Sequence, residues 1–193
     1  TLTATPALQN IEIGGTAAIT ASVTTGSATN GYELYRTGET TADDNSTNGN
    51  FSVAYSAPTD INQPYKSVSY YIKALAETSC ADGVSGTVEV RMYPTPVLTP
   101  ATSPQTIFCQ DDSRLGTTGT GINLWDYISG ENSDWFTYTY SINGGTMTAI
   151  PADGFVKLDA APGNYTLALI SANKMPGSAL TSTPASFPLT VEK

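Results

Sequence analysis

The sequence contains no histidine. That excludes nucleophile systems of the Ser-His-Asp and Cys-His kind and removes the commonest metal ligand. Charge is scarce: 13% of residues are charged, with 8 basic against 17 acidic for a net charge of −9. A surface of that sign repels phosphate backbones, so nucleic acid is not expected as a partner, and anionic membrane surfaces are disfavoured on the same ground. No apolar run approaches the ~20 residues that cross a bilayer as a helix, so no membrane insertion is expected. No segment has the Ala, Leu, Glu and Lys density of a long helix. No GxSxG elbow, P-loop or dinucleotide fingerprint is present. The glycine-rich run 116–121 lacks the lysine of a P-loop and reads as a flexible turn.

What is abundant is the vocabulary of strands and turns. Thr, Ser, Val and 11 Tyr accompany 17 Gly and 12 Pro. Apolar residues alternate over short segments: Ala17, Ile19, Ala21 and Val23; Phe51, Val53 and Tyr55; Val68, Tyr70, Ile72 and Ala74; Val84, Gly86, Val88, Val90 and Met92. Period-2 patterning bounded by turn residues predicts half-buried antiparallel strands. In the second half Asn143-Gly144 stands between 138–142 and 146–150, a hairpin signal because Asn-Gly supplies the positive-φ pair of a type I′ turn. The segment 122–128 reads either as a strand or as one helical turn, with Leu124, Trp125 and Ile128 in the core.

The halves repeat. Three prolines, Pro94, Pro96 and Pro100, make 93–100 a stiff connector. On either side, 154–162 occupies the place of 50–58, 164–169 that of 69–74, 187–191 that of 84–90, and 105–109 that of 9–13. Each half offers about seven short strands, the size of a Greek-key sandwich. The expected fold is all-β: two consecutive immunoglobulin-like antiparallel β-sandwich domains, 1–95 and 96–193. The chain opens at Thr1 with no initiating Met, and both ends read as module boundaries of a longer polypeptide.

The close of the first half, SYYIKALAETSCADGVSGTVEVRMYPTP, resembles the Ig-like modules strung along secreted and cell-surface proteins of Bacteroidetes. The second half, YTYSINGGT followed by GFVKLDAAPGNYTLAL, is similar to adhesin repeats of gliding bacteria. The resemblance implies a spacer or adhesive role outside the cell, with no catalytic residues to carry over. Such modules often pair an early and a late cysteine. Here Cys80 holds only the late position of the first module and Cys109 only the early position of the second, whose counterpart in the first is Ile13. The closing strand alone spans about 30 Å at ~3.3 Å per residue. Modules stacked end to end would therefore hold the two sulfurs far beyond the ~7 Å Cα limit of a disulfide. Both cysteines are expected to be unpaired and buried as small hydrophobes.

Few residues suggest chemistry. Asp126, Glu131, Asp134, Asp153 and Asp159 are the carboxylates a glycosidase would draw on, but no cleft is evident to set two of them face to face. Calcium takes oxygen ligands, and Asp43-Asp44-Asn45 and Asp111-Asp112-Ser113 are loop clusters of that kind. Asp111 and Asp112 are the preferred metal pair, with solvated turns as the competing reading. Trp135 and Tyr138, near Trp125 and Phe136, are the candidate glycan-stacking platform, with core packing as the competing reading. Lys73 and Lys157 lie in strands on outward faces, which speaks against buried Lys–Asn cross-links. The reading is thus a non-enzymatic, monomeric module pair, extracellular or on the outer cell surface. Its partners are other domains of the same polypeptide, glycans or surface proteins. The alternative is a carbohydrate-binding accessory region of a secreted polysaccharide-degrading enzyme.

Overall fold

The structure, a computed structural model, describes residues 1–26, 28–54, 64–76 and 81–193. The chain divides into two compact units, Thr1–Pro94 and Thr95–Lys193. Both are built of strands, and among the described residues the only helical element is one short 3-10 turn.

In unit 1, nine strands are described: β1 (Leu2–Thr5), β2 (Leu8–Glu12), β3 (Thr16–Val23), β4 (Tyr32–Arg36), β5 (Asp44–Ser46), β6 (Asn50–Ala54), β7 (Lys66–Ala74), β8 (Gly83–Val84) and β9 (Val88–Tyr93). They form a small sheet, β1-β3-β6, and a six-stranded sheet, β2-β9-β7-β4-β5 with β8 added to β7. The chain changes sheet around the cis Thr5-Pro6 bond: β1 runs antiparallel to β3, whereas β2 runs parallel to β9. Ala17, Ile19, Ala21 and Phe51 of the small sheet share one apolar core with Ile11, Leu34, Tyr70, Ile72, Val88, Val90 and Met92 of the large one. Alternation along β3 and over residues 88–92 of β9 produces this, since successive side chains of a strand point to opposite faces.

Val84 departs from that pattern. The sequence places it on the core side of one long closing strand, yet it sits in the separate β8 and is 57% exposed. Register explains the difference. Tyr70 pairs with Val88, so Ile72 would face Gly86; instead the Ile72 N–H donates to Ser85 Oγ (2.8 Å) and the Ser85 N–H donates to the Ile72 carbonyl (2.9 Å). One residue has been slipped into the strand, and a one-residue slip exchanges faces. Val84 accordingly pairs with the outward Lys73.

Unit 2 holds β10 (Ile107–Cys109), β11 (Ile122–Asn123), the 3-10 turn Leu124–Tyr127, β12 (Phe136–Ile142), β13 (Thr148–Ala149), β14 (Phe155–Val156), β15 (Gly163–Asn173) and β16 (Ala185–Glu192). The large sheet has the order β10-β16-β15-β12-β13, and β11 pairs with β14. β10 runs parallel to β16, as β2 does to β9. The serine device recurs too. Leu169 pairs with Ala185, so Ser171 would face Thr183, but the Ser171 N–H donates to Ser182 Oγ (3.1 Å) and the Ser182 N–H to the Ser171 carbonyl (2.8 Å). Ser85→Ala and Ser182→Ala each remove the acceptor of a strand N–H. Each is expected to lower stability by about 1–3 kcal/mol, read as a shift in the guanidinium midpoint.

The segment 122–128 is both things the sequence allowed, a two-residue strand followed by a 3-10 turn. The turn buries Leu124 and Tyr127, three residues apart, and leaves Trp125 half-buried against the core. Asn143 and Gly144 have φ of 52° and 70°, the positive pair expected of the turn. The Gly145 N–H donates to the Ile142 carbonyl (3.1 Å), but Tyr140 then pairs with Thr148 rather than Met147, another inserted residue.

The expected burial of Cys109 is overturned: its thiol is free and exposed. Aligning Ile107 with Ile11 set the strand one residue out. In β10 it is Phe108 that faces the core, while Ile107 and Cys109 point outward, Ile107 at 57% exposure. Cys80, Tyr55 and residues 56–58 of the proposed repeat lie outside the described residues. Lys157 is exposed but follows β14 rather than lying in a strand.

Candidate functional site

Trp135 and Tyr138 do not form a shared platform. Tyr138 points into unit 2, 6% exposed, with Trp125 edge-on at 5.6 Å between ring centres. Its hydroxyl accepts the Asn132 N–H (2.9 Å), and burial pushes its pKa up. The alternation of β12 dictates this, because Tyr138, Tyr140 and Ile142 share the inward face. Trp135 precedes the strand, half-buried and edge-on to Phe136, on a turn where Asn132 Oδ1 accepts the N–H groups of Asp134 and Trp135 (3.2 Å each).

Asp111 is exposed, while Asp112 is held by Arg114. Asp112 Oδ1 accepts the Arg114 N–H (2.9 Å) and Nε–H (3.0 Å), and Oδ2 accepts from Nη2 (2.7 Å). Arg114 also donates to Gln105 Oε1 (2.9 Å) and lies 5.3 Å over the Phe108 ring. The pair therefore ties the loop after β10 back onto that strand. Among the described residues no three His, Cys, Asp or Glu side chains gather closely enough to hold a metal ion. The Arg114 hydrogen bonds lower the Asp112 pKa from 3.8 to about 2. A carboxylate depressed in the folded state stabilises above its unfolded value and loses that contribution as the proton returns. The stability advantage of the wild type over Asp112→Asn is expected to vanish as pH falls from 3.8 towards about 2, followed by melting temperature against pH.

Four of the five carboxylates weighed for glycosidase chemistry are spent on their own turns, and the fifth, Asp134, is exposed. Asp153 Oδ1 accepts the Phe155 N–H and Asp159 Oδ1 the Ala161 N–H. Glu131 accepts from Ser133, and Asp126 from the Asn123 amide.

The chemistry that strand reasoning overlooked lies on the outward face of the large sheet of unit 1. Tyr35 and Tyr71 are direct cross-strand partners of β4 and β7, stacked at 5.2 Å between ring centres and 10° between planes. The Tyr35 hydroxyl donates to Glu33 Oε2 (2.5 Å), and Lys73 Nζ lies 4.3 Å over the Tyr35 ring. The hydrogen bond to Glu33, helped by burial, pushes the Tyr35 pKa up to about 12. Two rows along the same face, Arg91 makes paired hydrogen bonds to Glu89 (2.8 and 3.0 Å), lies 4.8 Å over the Tyr65 ring, and Tyr65 meets Tyr93 at 5.3 Å. Tyr35 and Tyr65 are thus each covered by one of the protein's own cations. The available signal was the parity of Tyr35 and Tyr71 against the core residues Leu34, Tyr70 and Ile72.

At one end of unit 1, a cavity of about 600 Å³ opens among Leu2, Val23, Thr25, Ala76, Gly83 and Val84. Its described lining carries no side-chain charge.

No family model matches the chain, and no curated protein matches it. Several solved structures are similar over nearly all of its length. The fibronectin(III)-like modules of Clostridium thermocellum CbhA share 16% identity, cover 100% of this chain and 94% of their own, and superpose with a TM-score of 0.46. Human mucin-like protocadherin EC1-2 shares 15% identity over 99% of this chain and 98% of its own, at a TM-score of 0.36. Drosophila N-cadherin EC1-4 shares 16% identity over 96% of this chain and 47% of its own, also at 0.36. The all-β, tandem Ig-like class rests on the strand pairing described above.

Proposed function

We propose that this chain is a pair of non-enzymatic structural or adhesive modules from a larger extracellular protein, of the kind carried on bacterial cell surfaces. The observation that carries the reading is repetition down to hydrogen-bond detail. Each unit pairs its early strand parallel to its last, and each sets before that last strand a serine whose hydroxyl and N–H both bond one residue of the antiparallel partner strand, β7 or β15. Repetition of a packed unit suits a chain whose task is to extend or present. Its partners in this reading are neighbouring domains of the same polypeptide and glycans or proteins of an opposing surface.

Calcium is not needed for this role, and because Arg114 holds both oxygens of Asp112, added calcium is expected to leave the melting temperature unchanged. A rise would reinstate Asp111 and Asp112 as ligands. The alternative, a glycan-binding accessory region, is favoured only by the partly exposed Trp135 ring. Incubation with a panel of polysaccharides is expected to give no turnover, and a glycan array no signal that depends on Trp135. Binding lost in Trp135→Ala would replace the proposal with the accessory role, and hydrolysis would sink both. Further units of this plan flanking the chain in its parent gene would support it.

A further inference from the structure

We propose that Tyr35 and Tyr71 are a site of oxidative modification, where one-electron oxidants join the two rings into an intramolecular dityrosine bridge between β4 and β7. Three observations carry this. The rings are nearly parallel and in contact, 5.2 Å between centres, and belong to residues directly opposed in the ladder. Cβ atoms of such pairs stand only ~5 Å apart, so joined side chains leave the strands in place. The two rings also differ in access: Tyr71 is half-buried, whereas Tyr35 is buried at 7% exposure. Finally, the Tyr35 hydroxyl already points its proton at a carboxylate, Glu33 Oε2, at 2.5 Å.

The sequence of steps follows from these positions. The oxidant meets Tyr71 first and removes one electron, its phenolic proton leaving to water. The vacancy passes to Tyr35 across the stacked contact: Tyr71 takes one electron from Tyr35 and one proton back from water, and is restored. Lys73 over the Tyr35 ring disfavours a positively charged radical there. Tyr35 therefore gives up its electron only together with its proton, which moves to Glu33. A second oxidation of Tyr71 leaves two neutral radicals side by side. One carbon–carbon bond forms between ring carbons ortho to the hydroxyls, and the two C–H hydrogens relocate to the oxygens. Overall, two phenols lose two electrons and two protons. With a haem peroxidase the electron acceptor is hydrogen peroxide, reduced to two waters.

The test oxidises the intact chain with a haem peroxidase and limiting peroxide, at protein concentrations low enough to suppress coupling between molecules. The expected product is a monomer lighter by two hydrogens. Trypsin should then yield peptide 1–36 joined to peptide 67–73, with fragmentation placing the link at Tyr35 and Tyr71. Tyr35→Phe and Tyr71→Phe, each checked for an unchanged melting profile, are expected to lose the joined peptide. Tyr65→Phe, from the neighbouring pair tilted by 48°, should keep it. Glu33→Gln should lower the yield several-fold near neutral pH and less so in strong alkali, where the phenol needs no acceptor. The proposal is overturned by an unchanged monomer mass, by covalent dimers alone, by a link at Tyr65 and Tyr93, or by the same product from Tyr35→Phe. A yield that Glu33→Gln leaves unaltered overturns the proton path.

Discussion

Gly121→Ala is expected to destabilise unit 2 by about 2–5 kcal/mol, the sum of a left-handed backbone penalty and an overpacking penalty. Gly121 has φ of +98°, and a Cβ there would stand 2.4 Å from the Val156 carbonyl oxygen and 2.8 Å from its carbon. Those are backbone atoms of β14, so no rotamer change relieves the clash. The next residue, Ile122, pairs with Val156, and both are core residues. Any separation therefore opens the β11–β14 pair and withdraws two side chains from the interior. Such a loss is a large share of the ~5–15 kcal/mol that holds an ordinary domain together. Trp125 and Trp135, the only 2 tryptophans, both lie in unit 2, so tryptophan fluorescence during guanidinium denaturation reads this unit directly. Gly144→Ala provides the contrast. Its φ is +70° but nothing lies within 4 Å of the added carbon, and only ~1–2 kcal/mol should be lost. If the two variants unfold at the same midpoint, the close approach at Gly121 is not what the geometry implies.

Leu34→Ala is expected to remove about 3 kcal/mol from unit 1, within the range found when a fully enclosed leucine is truncated. Leu34 has no exposed surface and pairs with Ile72, itself fully enclosed. Apolar residues of both sheets fill the space around this pair, and a packed interior collapses only partly around a missing side chain. The denaturation midpoint followed by far-ultraviolet circular dichroism measures the loss. Leu34→Met, close in volume, should lose under ~1.5 kcal/mol. Equal midpoints for the Ala and Met variants would mean the site is not packed as described.

These predictions sit where the sequence was most and least readable. The enclosure of Ile72, the partner of Leu34, and of Val88 and Val90 follows from alternation, which needs only adjacent residues to agree. Alternation fails wherever one residue is added: at Ser85, which turns Val84 outward, and after Gly145, where pairing resumes a step late. No composition rule marks such insertions, because the compensating bond is made by a residue far along the chain. Cys109 was misplaced for the same reason, by an alignment one residue out. The glycines of 116–121 were visible, but their purpose was not. Gly119 and Gly121 are there because the backbones of Arg114 and Val156 occupy the space a Cβ would need. Of the candidate site residues, Trp135 and Asp111 remain accessible, whereas Tyr138 is spent on packing and Asp112 on Arg114. The stacked tyrosines escaped notice because their neighbours Leu34, Tyr70 and Ile72 claim the core parity and leave them the opposite one.

The parallel match of an early strand to the closing one has a mechanical meaning. Traction on the two ends of such a unit slides these strands past each other lengthwise, so the bonds between them share the load instead of opening singly like a zipper. Five residues engage in this way between β2 and β9, against three between β10 and β16. Under tension the second unit would yield before the first.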